Sequence, residues 1–163
     1  MKGLLLVVPL AILFCALAAS QQQPSSLTDA QKVEIEKQVR EQAELKFKAV
    51  GSMNLESMDQ IFSRKEFLGY AANGDLTITE RREFMDLLKQ AWDFQEERRG
   101  EMLRLQIHPL AEDLALVDYT AKWQGTDKKG QVHKLNASIA MLFRKEEAGW
   151  KAIYEHESTK EIK

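Results

Sequence analysis

The stretch that decides the fold is Gly149-Trp150-Lys151-Ala152-Ile153-Tyr154-Glu155-His156-Glu157-Ser158. It alternates with the period of a β-strand, so successive side chains are expected on opposite faces. Strict alternation puts Trp150, Ala152, Tyr154, His156 and Ser158 on one face and Lys151, Ile153, Glu155 and Glu157 on the other. A face of aromatics ending in an imidazole and a hydroxyl is the lining of a concave pocket.

The strands before it carry similar faces. Leu103, Leu105 and Ile107 alternate with Arg104, Gln106 and His108, and Pro109 is expected to stop that strand. Ala115, Val117, Tyr119, Ala121 and Trp123 share a face, which turns Asp118 outward. Leu135, Ala137, Ile139, Met141 and Phe143 share another. The polar loops Gly125–Gly130 and Lys145–Gly149 separate these runs, giving an antiparallel meander of four strands.

Helices precede the meander. Thr28-Asp29-Ala30-Gln31 has the form of a capping box, and Ile35, Val39, Ala43, Phe47 and Val50 follow as an apolar stripe ended by Gly51. Asn54 caps a second, short helix with Leu55, Met58, Ile61 and Phe62 as its apolar positions. Phe67 to Ala72 and Leu76 to Ile78 flank the hairpin signal Asn73-Gly74. Thr79 is a candidate cap for a third helix, with Phe84, Leu87, Leu88 and Ala91 on its buried side. Glu96-Glu97-Arg98-Arg99 is expected to be a solvated junction. Helices segregated from a run of strands indicate an α+β domain. Its curved, antiparallel-rich sheet is expected to wrap around three N-terminal helices as a cone.

The first twenty residues stand apart. Met1-Lys2 is followed by an almost wholly apolar run to Leu17, and small residues around Ala16 to Ser20 fit a cleavage site, so residues 1–20 read as a secretory signal peptide. The alternative is an uncleaved membrane tether, against which the run is short for the roughly 17–25 residues of a spanning helix. Residues 21–27 are polar and of low complexity, a disordered leader, and residues 28–160 form one domain. The expected address is periplasmic or extracellular, with no stable membrane insertion after cleavage.

Cys15 is the only cysteine and leaves with the signal, so the mature chain has no disulfide, thiolate metal site or cysteine nucleophile. Without Lys2 the 23 basic residues become 22 against 25 acidic, a formal charge of −3 that gives no footprint for nucleic acid. His108, His133 and His156 stand on separate segments without metal-ligand spacing, and no glycine loop is built for a phosphate, so neither metal nor cofactor is expected. Asn136-Ala137-Ser138 is a formal glycosylation triplet placed mid-strand.

Three features together, the turn-then-strand Glu112-Asp113-Leu114-Ala115-Leu116-Val117, the Asn73-Gly74 hairpin before the third helix and the terminal Gly149-Trp150-Lys151-Ala152-Ile153 with His156 and Ser158, resemble the nuclear transport factor 2-like superfamily, in particular its SnoaL-like branch. The resemblance runs from about Thr28 to Ser158. It implies a cone, commonly dimeric through the outer sheet face. Its members include polyketide cyclases, ketosteroid isomerases, dehydratases and assembly domains, so it implies a fold more than a function.

Tyr119, Trp123, Tyr154 and His156 are the candidate ligand-binding residues, with Tyr70 and Trp92 as outliers of the same set. The expected function is non-catalytic binding of a small apolar or amphipathic molecule by a homodimer. Strict parity leaves the inner faces of the later strands without a carboxylate. A cofactor-free lyase or isomerase would then have to rely on His156, the one residue assigned to catalysis if there is any. A purely structural assembly module is the third expectation.

Overall fold

In this computed structural model, residues 26–74 and 76–162 are described. The expected signal peptide, and the leader up to residue 25, lie outside them. The first helix, α1 (Asp29–Gly51), opens with the capping box: Thr28 N–H donates to Gln31 Oε1, and Gln31 N–H donates to Thr28 Oγ1. Two orphan amides of the first turn are satisfied this way. Its buried face is Ile35, Val39, Ala43, Lys46, Ala49 and Val50. The helix α2 (Leu55–Ile61) is capped by Asn54, whose Oδ1 accepts from Ser57 N–H at 2.9 Å.

Two short strands follow, β1 (Gly69–Ala72) and β2 (Leu76–Ile78), joined through Asn73 and Gly74, which both have positive φ. The helix α3 (Arg81–Asp93) starts after Glu80 rather than at Thr79, with no side-chain cap. Four long strands complete the chain: β3 (Gln95–Ala111), β4 (Leu114–Asp127), β5 (Val132–Glu146) and β6 (Gly149–Glu161). They form one six-stranded sheet in the order β2-β1-β6-β5-β4-β3, antiparallel except for β1 beside β6. The architecture is the expected α+β cone, a curved sheet wrapped around three helices.

Strand β3 departs from its expected form at both ends, and Leu103, expected on the half-buried face, is exposed at a register shift between Met102 and Arg104. The strand starts directly after α3, so Glu96 to Arg99 are strand rather than junction, and it runs through Pro109 to Ala111. Proline is tolerated because β3 is an edge strand and owes no amide to a neighbour on its open side. Gly100 faces Trp123 across the β3–β4 pair, and the indole occupies the space a Cβ at Gly100 would need. The missing side chain lets the largest residue of β4 lie flat against β3.

The concave face is built in cross-strand rows. One row crosses the whole sheet: Ile107, Val117, Met141, Glu155, Tyr70 and Ile78. All six are buried, and five are apolar or aromatic. The sixth is a carboxylate at the centre of the core. Among the described residues, no helix is long and apolar enough to cross a membrane.

Candidate functional site

Glu155 faces inward because β6 does not alternate strictly. Phe143 pairs with Ala152, but the next residue back, Leu142, pairs with Tyr154, so Ile153 has no partner on β5. This is a β-bulge, one extra residue in one strand of a pair. A one-residue offset sends every following side chain to the other face. Trp150 and Ala152 therefore point inward as expected, whereas beyond Ile153 the inward residues are Glu155 and Glu157. Tyr154 and His156 lie on the outer face beside Leu142 and Ala140, half-buried and away from the cone interior. The bulge is held by neighbours: Ser63 N–H donates to Ala152 O at 2.9 Å and Leu68 N–H to Ile153 O at 2.6 Å.

Glu155 meets a lysine. Lys46 stands on α1 in line with Val39, Ala43 and Val50, and is 3% exposed; Glu155 is 1% exposed. Lys46 Nζ donates to Glu155 Oε1 at 2.7 Å and to Tyr119 Oη at 2.8 Å. Burial works against the charge on both groups. On Lys46 it is outweighed by Glu155, then by Tyr119 and Glu157, and the ammonium is held above the ordinary lysine range. On Glu155 burial prevails over Lys46, aided by the neighbouring Glu157, and the carboxyl is raised. Burial also pushes the Tyr119 phenol up to about 12, against the pull of Lys46. Glu155 Oε2 is buried without a partner among the described residues.

Above this cluster the interior is open. A cavity of about 250 Å³ is bounded by α1 and α2 at Lys46, Val50 and Met58, and by α3 at Phe84, Leu87, Leu88, Ala91 and Trp92. The sheet contributes Tyr70, Arg98, Tyr119, Trp123, Leu135, Ile139, Glu155 and Glu157. Tyr70 Oη donates to Glu157 Oε2 at 3.3 Å. Burial, then Glu157 and Glu155, hold the Tyr70 phenol above its ordinary range. Phe47 packs on Trp123 with ring centroids 4.6 Å apart, fixing the indole from the helix side. An apolar, aromatic wall with a few converging polar groups is the general form of a small-molecule site.

Of the sequence candidates, the structure brings Tyr119 and Trp123 together in this cavity, with Tyr70 and Trp92, and leaves Tyr154 and His156 outside it. The expectation that the inner strands carry no carboxylate is corrected by Glu155 and Glu157, which the bulge turns inward. Asp118 is on the outer face as parity required, hydrogen-bonded at 2.9 Å to His108. Sequence reasoning missed Lys46, Arg98, Glu155 and Glu157. The signal for Lys46 was available: a lysine inside the apolar stripe of a helix requires a buried counter-charge. Among the described residues, no group of three His, Cys, Asp or Glu side chains is placed to hold a metal ion.

The fold has many solved relatives. A hexachlorocyclohexane dehydrochlorinase, LinA-type3, from Novosphingobium barchaimii superposes with a TM-score of 0.70 at 11% identity, covering 83% of this chain and 94% of its own. A ketosteroid isomerase-like protein from Erwinia carotovora atroseptica superposes at 0.66 with 15% identity, covering 77% and 96%. A conserved protein from Planctomyces limnophilus superposes at 0.64 with 15% identity, covering 80% and 98%. At these identities the likeness is one of fold. No functionally curated protein matches the sequence. The SnoaL-like domain model, in contrast, matches residues 39–160, which takes in the buried lysine, the cavity and the bulged last strand. The chain belongs to the SnoaL-like domain family.

Proposed function

We propose that this chain is a small-molecule-binding domain whose ligand occupies the cone cavity. One observation carries the reading: the cone interior is left open over about 250 Å³, with charged and phenolic groups set into an otherwise apolar wall. An apolar cavity of ~150 Å³ accommodates benzene, so this one suits a molecule of one or two rings. Such a ligand would rest on Leu87, Leu88, Trp92 and Trp123 and reach Tyr70, Glu157 and Arg98 with its polar groups. The proposal includes export directed by residues 1–20 and pairing of two copies through the outer sheet face.

The test is binding of 2-naphthamide, a neutral two-ring probe, followed by fluorescence or calorimetry. Saturable binding that is lost in Ala91→Trp, which fills the cavity from α3, supports the reading. Absence of binding, or binding indifferent to Ala91→Trp in a folded variant, overturns it.

A second reading is favoured by one specific observation. Glu157 is a partly exposed carboxylate in the cavity, beside the Tyr70 hydroxyl. A carboxylate and a phenol facing one bound molecule can accept and donate a proton. The lyase or isomerase alternative therefore passes from His156 to Glu157. Turnover of a bound ligand that is lost in Glu157→Gln with binding retained would establish it.

A further inference from the structure

Among the charged side chains that line the cavity, Arg98 is the one without a hydrogen bond to another described residue. Lys46 is engaged by Glu155 and Tyr119, and Glu157 accepts from Tyr70. Arg98 projects from β3 into the same space, and its guanidinium lies over the Trp123 ring, 4.8 Å from the centroid. Its side chain makes no hydrogen bond or ion pair among the described residues, and its Nε is buried. Burial holds its pKa below the ordinary arginine value, against Glu157, Tyr119 and Tyr70, which favour the charge. Only Nε is enclosed without a partner; the side chain as a whole is half-buried, so its terminal N–H groups are not packed away and can meet a ligand in the cavity.

The geometry has a chemical meaning. A guanidinium packed on an aromatic ring is fixed in orientation, and its N–H edge remains free to donate. That edge matches a carboxylate with two parallel hydrogen bonds, a match an amide or hydroxyl cannot make. Arg98, Trp123 and Leu135 also border a second chamber of about 100 Å³, which Gln95, Asp127 and His133 line as well. The arginine thus stands at one end of the larger cavity, with the apolar surface of α3 beside it.

We infer that the ligand of the cone is an aromatic or alicyclic monocarboxylic acid, its carboxylate gripped by Arg98 and its apolar body laid against Trp123, Trp92 and Leu88. The inference rests on the cavity-binding reading and adds the charge of the ligand. Glu157 shares the cavity and repels an incoming anion, so it opposes Arg98 and disfavours a dianion. The two residues therefore move affinity in opposite directions.

The experiment compares 2-naphthoate with 2-naphthamide, two probes of nearly equal size that differ in charge. The intact protein should bind 2-naphthoate at least tenfold more tightly. Arg98→Gln should abolish that preference, Arg98→Lys should restore part of it, and Glu157→Gln should increase it. Equal affinities for the two probes on the unaltered protein, or a preference that survives Arg98→Gln, overturn the inference and leave the cavity reading standing. Failure of both probes to bind overturns the two together. The comparison on unaltered protein stands even if Arg98→Gln proves unstable.

Discussion

Lys46 Nζ lies 2.7 Å from Glu155 Oε1, with both side chains almost fully enclosed. The contact joins the C-terminal third of α1 to the strand at the centre of the sheet and passes through the floor of the cavity. Removing one partner of such a pair strands the other charge, at a cost of about 3–5 kcal/mol. Glu155→Gln should show that loss in urea unfolding at pH 7. The pH dependence carries the sign. In the intact protein the folded-state pKa of Lys46 is raised, so its contribution is complete below the unfolded lysine value and fades as pH climbs through the folded one. In Glu155→Gln the strongest charge opposing burial is gone, burial should depress Lys46 against Tyr119 and Glu157, and the variant should then gain stability as pH rises toward the unfolded lysine value. The gap between the two proteins should narrow from pH 7 to pH 10. A constant gap would show that Lys46 ionises alike in both proteins and that Glu155 does not set its charge.

His156 lies on the outer face beside Ala140, three positions along from the bulge residue Ile153 that turned it there. His156→Ala should leave binding of 2-naphthamide within about twofold of the unaltered protein. A tenfold loss in a folded His156→Ala variant would return His156 to the site.

Gly100 gives its side-chain space to Trp123. Gly100→Ala should force the indole or strand β3 to shift, at about 1–3 kcal/mol of stability, as overpacking does. In a Trp123→Leu background the same change should cost well under half as much. Thermal or urea denaturation of the four proteins forms a double-mutant cycle, and additive losses would deny the contact its role.

Deleting Ile153 removes the extra residue of β6. Ala152 and Tyr154 then follow one another against Phe143 and Leu142, so regular alternation keeps Glu155 opposite Met141 and turned inward. The deletion loses a fully buried isoleucine and the acceptor of the Leu68 N–H, so it should cost about 2–5 kcal/mol while the Lys46 pair and 2-naphthamide binding are retained. A folded deletion variant in which Glu155→Gln no longer costs stability would contradict the bulge as described.

The helices and strands were legible because each carries a local signal. Thr28 and Gln31 mark the start of α1, Asn54 that of α2, and Asn73-Gly74 the turn between β1 and β2. The concave faces of β4 and β5 followed from alternation, which both strands keep without a break. The chemistry of the site was hidden for a physical reason. A bulge without glycine has no residue type of its own, and both faces of β6 beyond Ile153 are polar or amphipathic. Tyr154 with His156 and Glu155 with Glu157 are therefore equally acceptable as an inner set on pattern alone. What decides between them is Lys46, 109 residues away in sequence, whose ammonium accepts only one of the two. Arg98 was hidden by composition, since Glu96-Glu97-Arg98-Arg99 resembles any solvated run until a neighbouring strand gives it two faces.

The unpaired Ile153 makes the ligand chemistry of this cone depend on how one strand pairs rather than on a set of letters. The same residues paired with β5 without the bulge would exchange an interior of two carboxylates for one of tyrosine and imidazole, with no substitution at any lining position. Chains built this way can therefore depart from one another in what they bind by where an extra residue is absorbed. A comparison of pocket residues aligned column by column would see identical amino acids and miss that they face opposite sides of the wall.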